Sequence, residues 1–122
     1  MREVRSQDWG SFCDRVNQNG RGSIVSVQKL DLDGVRTEVS RNAEFDRIEF
    51  AKRDDCNDQI SIRSSAEQML DHEIVEPIHI KLMESEGGRA FRAIMIEAED
   101  GVTQIDFQPL IKESWLAGID LQ

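Results

Sequence analysis

Two histidines, two cysteines and two acidic turns are the features of this 122-residue chain that invite a chemical reading. A general base needs a nucleophile or a carboxylate within hydrogen-bond reach, and none can be assigned to His72 or His79 from sequence. His79 alternates with Ile78 and Ile80 and so points to the opposite side of a strand. Neither Cys13 nor Cys56 has a second Cys or a His at a metal-ligand spacing. Cys13 falls on an apolar helical stripe and reads as a small buried hydrophobe. Cys56 sits in Asp54-Asp55-Cys56-Asn57-Asp58, where the neighbouring carboxylates disfavour a thiolate. Asp31-x-Asp33-Gly34 and Asp54-Asp55-x-x-Asp58 both lack the alternating oxygens and closing Glu of a calcium loop. Asp-Gly is also what an ordinary turn uses. The residues therefore assign no catalytic group, no metal and no cofactor, and the chain reads as non-enzymatic.

Charge narrows the partners. The net charge is −9, and residues 67–122 carry four basic against twelve acidic groups. Nucleic-acid binding needs a positive footprint for phosphate contacts, so DNA is excluded and RNA is disfavoured. Apolar residues make up 39% and charged residues 32%, the balance of an ordinary globular domain. No apolar run approaches the length that spans a bilayer, and Met1 to Asp8 lacks the apolar stretch of a secretory signal. The expectation is a cytoplasmic protein without membrane contact, folded as a single domain over 1–122.

Trp9, Phe12, Cys13 and Val16 recur at helical spacing, which predicts a helix over 7–18 with Ser6 as N-cap and Asp8 in the first turn. From Ser23 the period becomes that of strands, and residues 23–108 read as a β-barrel or sheet. Ile24–Leu30 ends at Asp31-Leu32-Asp33-Gly34, and Val35–Arg41 then alternates cleanly. Phe45–Lys52 resumes after Asn42-Ala43-Glu44, so the two runs make one long strand bent at a bulge. Gln59–Arg63 is a short strand, and 65–70 reads as a helical turn with Ser65 and Gln68 as a capping box. A strand over Ile74–Met83 carries Ile78, Ile80 and Leu82 on one face, with Pro77 confined to an edge or an irregular stretch.

The clearest pattern is Phe91 to Phe107. Taking Asp100-Gly101 as a two-residue type I′ loop pairs Ala98 with Thr103, Ile96 with Ile105 and Ile94 with Phe107, all on one face. Phe91, Ala93 and Met95 share the other face with Glu97, Glu99, Gln104 and Asp106, so its Phe91 end needs a cover.

Pro109 breaks the sheet and opens a docking tail, 109–122, carrying Leu110, Ile111, Trp115, Leu116 and Ile119. The helix already supplies aromatics to cap a small barrel, so the tail has surplus apolar groups that monomers rarely leave in water. The candidate interaction surface is Phe91, Met95, Leu110, Ile111, Trp115, Leu116 and Ile119, and the expected partner is a second copy in a homodimer or other homo-oligomer, or another protein.

Trp9 and Phe12, Asp33-Gly34, His72 before Pro77, and Ile96-Glu97-x-x-Asp100-Gly101-x-Thr103-x-x-x-Phe107 together resemble a family of small bacterial proteins known only as a domain of unknown function. The resemblance covers about residues 5–110 and brings no activity, substrate or site residues with it. The order of a short helix and about five bent strands also looks like the SH3-like or Sm-like small barrel. The fold class expected is mainly β (α+β), an N-terminal helix on a strongly bent antiparallel sheet or barrel. The Sm-like resemblance supplies a second functional reading, an RNA- or nucleotide-binding module using Arg2, Arg5, Arg15 and Arg21.

Overall fold

The helical stripe and the strand-type periods both take the form their spacing dictates, in a chain that the computed structural model describes over residues 1–52, 58–65 and 71–122. A short strand β1 (Arg2–Val4) leads through a 3-10 turn (Ser6–Asp8) into helix α1 (Trp9–Gly20). Strands β2 (Ile24–Asp31), β3 (Arg36–Ala51), β4 (Gln59–Ser64), β5 (Asp71–Val75), β6 (Pro77–Glu84), β7 (Ala90–Ala98) and β8 (Gly101–Lys112) follow, and a last 3-10 turn spans Glu113–Leu116. They form one antiparallel sheet in the order β1-β6-β7-β8-β2-β3-β4-β5. Eight strands replace the five expected, and the ladder is not closed.

The sheet nevertheless curls. β3 pairs with β2 through residues 36–44 and with β4 through 45–51, so one strand serves both halves. Asn42, at φ 53°, and register shifts on either side of it supply the bend. The expected strand over 74–83 is two strands, with Glu76 at φ 51° between them. β5 lies at one end of the strand order and β6 near the other, so this single residue carries the chain directly across the gap. The two ends of the sheet are joined by covalent chain where no hydrogen-bonded ladder joins them.

Inside the curl lie Val25, Val27, Ile48, Ile60, Ile62, Ile74, Ile80, Leu82, Ile94, Ile96 and Ile105, none more than 5% exposed. α1 lays Trp9, Phe12, Cys13 and Val16 on this core. Burial, with Asp14 and Glu49 close by, pushes the Cys13 thiol up to about 12, so it is a packed group and no nucleophile. The capping expectation fails in detail. Asp8 is the residue before the helix, and no side chain caps it.

The β7–β8 hairpin corrects the expected register. Ala98 pairs with Gly101, Ile96 with Thr103 and Ile94 with Ile105, which puts Glu99-Asp100 in the turn. Each of these three partners has moved by two residues, and an even shift leaves these side chains on their expected face. Gly101 is displaced from the turn into the ladder because β2 lies against it. It has φ 140°, and a Cβ there would collide with the Leu30 carbonyl.

Pro109 does not end the sheet. The Gln108–Pro109 bond is cis, and β8 continues until Ile111 and Lys112 rejoin β7 opposite Phe91 and Ala90. A bulge between Phe91 and Ala93 turns Phe91 inward, and one between Pro77 and His79 leaves Ile78 outside, off the Ile80–Leu82 face. The helical turn expected over 65–70 and the thiol of Cys56 fall largely or wholly outside the described residues.

Ile96→Ala or Ile105→Ala is expected to cost about 2–4 kcal/mol of unfolding free energy through lost burial and a residual cavity. Gly101→Val, strained and in collision, is expected to cost at least about 2 kcal/mol in the same urea titration.

Candidate functional site

β4 and β5 place Ile62 opposite His72, so the imidazole turns inward with the core side chains. It reaches the far wall of the curl, where its Nε2 is 3.3 Å from the Thr103 hydroxyl on β8. Thr103 lies opposite Lys29 of β2, and the Lys29 ammonium pairs with the Asp100 carboxylate in the hairpin turn. Four polar residues from four separate segments thus meet at one mouth of the core. Phe107, four positions along β8, marks the other end, where its ring meets Phe45 at 5.2 Å and α1 closes over it. Sequence reading found no partner for His72 because Thr103 and Lys29 reach it only through curling of the sheet.

The electrostatics of this quartet favour a neutral histidine. Burial lowers the His72 pKa from its ordinary 6.5, Lys29 lowers it further, and Asp100 opposes them. The Lys29 hydrogen bond in turn holds the Asp100 carboxyl below the usual range. A neutral imidazole beside a hydroxyl is the arrangement of a base and a nucleophile. Thr103 is only 3% exposed, and its hydroxyl meets His72 across the curl. The geometry describes a wall-to-wall clamp.

The residues of the expected interaction surface are divided. Phe91, Ile111 and Leu116 are buried in the chain's own core. Trp115 and Ile119 are half-buried against it, with the Trp115 ring packed over Gly20 at the end of α1. Leu121 bridges to Val4, and Gln122 exchanges two backbone hydrogen bonds with Glu3, so the tail covers the edge of β1. Met95, half-buried like Trp115 and Ile119, and Leu110, exposed, lie at the surface. A small closed barrel has little core for such a tail to fill. The open, eight-stranded curl has more, and the tail fills it.

His79, on the outer face, hydrogen-bonds Glu3 at 2.9 Å. Two of the four arginines considered for RNA pair with acids. Arg2 donates to the Leu121 carbonyl, Arg5 pairs with Asp8 and Asp120, and Arg21 pairs with Asp46.

What sequence reading missed is the end of the β2–β3 hairpin. Leu32 is 78% exposed, Val35 57% and Val39 37%, and Leu30 beside them joins Met95 and Val102 in a shallow outer notch floored by Gln28 and Gln104. The clean alternation of Val35–Arg41 signalled a strand, but not that both its faces would be wet. No helix among the described residues is long and apolar enough to cross a membrane. Comparison with family models, curated proteins and solved structures finds no match to the chain.

Two measurements check this geometry. Between the lowered pKa of His72 and 6.5 the unfolded chain binds the extra proton, so stability is full above 6.5 and falls as pH drops through the folded-state value. His72→Asn is expected to flatten this part of the stability–pH curve in urea unfolding from pH 7.5 to 5. Deleting residues 110–122 removes Ile111 and Leu116 from the core and is expected to lose the cooperative thermal transition.

Proposed function

We propose that this chain is a non-enzymatic β domain that works by associating with a second copy of itself through the β2–β3 hairpin arm. The observation that carries the reading is the exposure of Leu32, Val35 and Val39 on an arm whose residues Leu32–Val39 are all exposed. Folding makes no use of these apolar side chains, so their presence is explained by something that covers them outside the core. The adjoining notch of Leu30, Met95 and Val102 extends the apolar area onto the outer face of the sheet.

The self-associating reading agrees with the charge. A chain of net charge −9 repels its own copies at long range, so association needs a surface where the local charges balance. The arm meets that need. Lys29, Arg36 and Arg41 offset Asp31, Asp33 and Glu38 within the hairpin.

Light scattering is expected to give twice the 13.9 kDa chain mass at high concentration, relaxing toward the monomer on dilution. A mass that stays monomeric up to about 100 μM would remove this function.

A further inference from the structure

β3 has two half-edges, because β2 flanks only its first part and β4 only its second. The fold protects the second half. The Asn17 side-chain amide both donates to and accepts from the Ile48 backbone at 2.8 Å, standing in for a neighbouring strand. Phe45 is likewise bonded to Gly22 and Ser23. Along the first half, over Val35–Val39, no described residue pairs with the side away from β2. Ser65, the end of β4, bonds Glu44, which is seven residues and about 23 Å of strand from Thr37.

The direction of the open groups follows from the hairpin. Asp31 donates to the Val35 carbonyl, and two residues further along each strand Lys29 faces Thr37. In an antiparallel ladder this parity turns the N–H and C=O of Thr37 toward β2 and those of Arg36 and Glu38 toward the open side. An edge with free donors and acceptors pairs with another strand unless something blocks it.

The side chains select which strand. Val35-Arg36-Thr37-Glu38-Val39 is chemically palindromic about Thr37. Set antiparallel to itself with a two-fold axis at Thr37, it puts Arg36 opposite Glu38 twice and Thr37 opposite Thr37, and brings Val35 to the end where Val39 lies at a register shift of β3. The positions whose backbone groups point outward, 36 and 38, are the ones that face each other in this register. Backbone parity and charge therefore agree on one alignment. Competing contacts are weak. Arg36 donates to Gln28 and Arg41 pairs with Glu38, all on exposed side chains. The open edge of β5 offers no such match, since a two-fold at Glu73 would oppose two carboxylates.

Building on the self-association proposed above, we infer that two copies join edge to edge through β3, centred on Thr37, so that the sheet runs continuously from one copy into the other. A strand pair of this length is a small interface, so the dimer is expected to be in the micromolar range and reversible.

Cross-linking and charge reversal test the register apart from the association. At the two-fold centre Thr37 and its mate form a non-hydrogen-bonded pair, whose Cα separation suits a disulfide. In a Cys56→Ser background, Thr37→Cys is expected to oxidise to a covalent dimer, whereas Leu32→Cys, off the axis at the arm tip, is not. Arg36→Glu and Glu38→Arg are each expected to weaken dimerisation about tenfold, and the double reversal to restore it to within about threefold. Unchanged circular dichroism and melting in these exposed-arm variants separate lost pairing from lost folding. A wild-type dimer whose Thr37→Cys form fails to cross-link, or which ignores both reversals, would overturn this register and leave self-association standing. A monomeric wild type would overturn both.

Discussion

An eight-stranded sheet with one apolar face cannot be covered by the twelve-residue helix α1 alone. This is the constraint on which the rest of the molecule depends. The sheet must bury its inner face against itself, and its strands must bend more than ordinary twist allows. The bending is concentrated where the backbone leaves the β region, at Asn42 in β3 and at Glu76 between β5 and β6. Both are non-glycine residues with positive φ, an arrangement that holds only where surrounding contacts impose it. At Glu76 such a contact is visible, since its N–H donates to the Asp58 carbonyl at 2.7 Å. Once the curl is made, α1 is needed at only one end, and the C-terminal turn with Trp115 and Leu116 completes the seal beside it.

The same solution sets the location of polar groups. At the end away from α1 the inward positions of β2, β5 and β8 become Lys29, His72 and Thr103. Each is satisfied across the mouth, Lys29 by Asp100 and His72 by Thr103, which is what permits polar side chains to face a core. The quartet reads naturally as a polar lid on an open curl. Its neutral histidine follows from that role, because a charged one would sit half-buried beside an ammonium.

How far the sequence reveals this depends on the range of each cause. The helix over 7–18 and the bend after Arg41 were legible because periodicity and turn residues act locally. The β7–β8 hairpin was legible in parity but not in register. The two-residue period of Ile94, Ile96, Thr103 and Ile105 fixes which face they take, and leaves even shifts open. The shift itself is imposed by the close passage of Leu30, seventy residues earlier in the chain, against Gly101. Phe91 and Ile78 changed faces for a related reason, since one extra residue between Pro77 and His79 and a longer detour of β8 between Asp106 and Ile111 break the alternation. The tail was misjudged through strand number. A closed barrel of five strands would have had no room for Ile111 and Leu116, and an open curl of eight does.

The core takes its side chains from β1, β2, β4 to β8, α1, the 3-10 turn that carries Leu116 and the part of β3 beyond Asn42. The arm before Asn42 contributes none, and residues 32–39 are exposed throughout. A strand that adds nothing to the core gains its order only from its hairpin partner, and a lone two-stranded ribbon is marginal in water. Its order here is inherited from β2, which is anchored at its other end between β8 and β3. The fold thus holds out a pre-ordered strand whose exposed apolar groups and open backbone do no work in the monomer. Pre-ordering removes much of the entropic penalty that a flexible segment meets on binding, and an apolar, charge-balanced edge offers a gain on contact that the rest of this acidic surface does not. Substitutions among the exposed residues 32–39 therefore leave the core untouched, whereas changes at Ile105 or Leu116 act on the core, and a change at Gly101 acts on β2 where the arm begins.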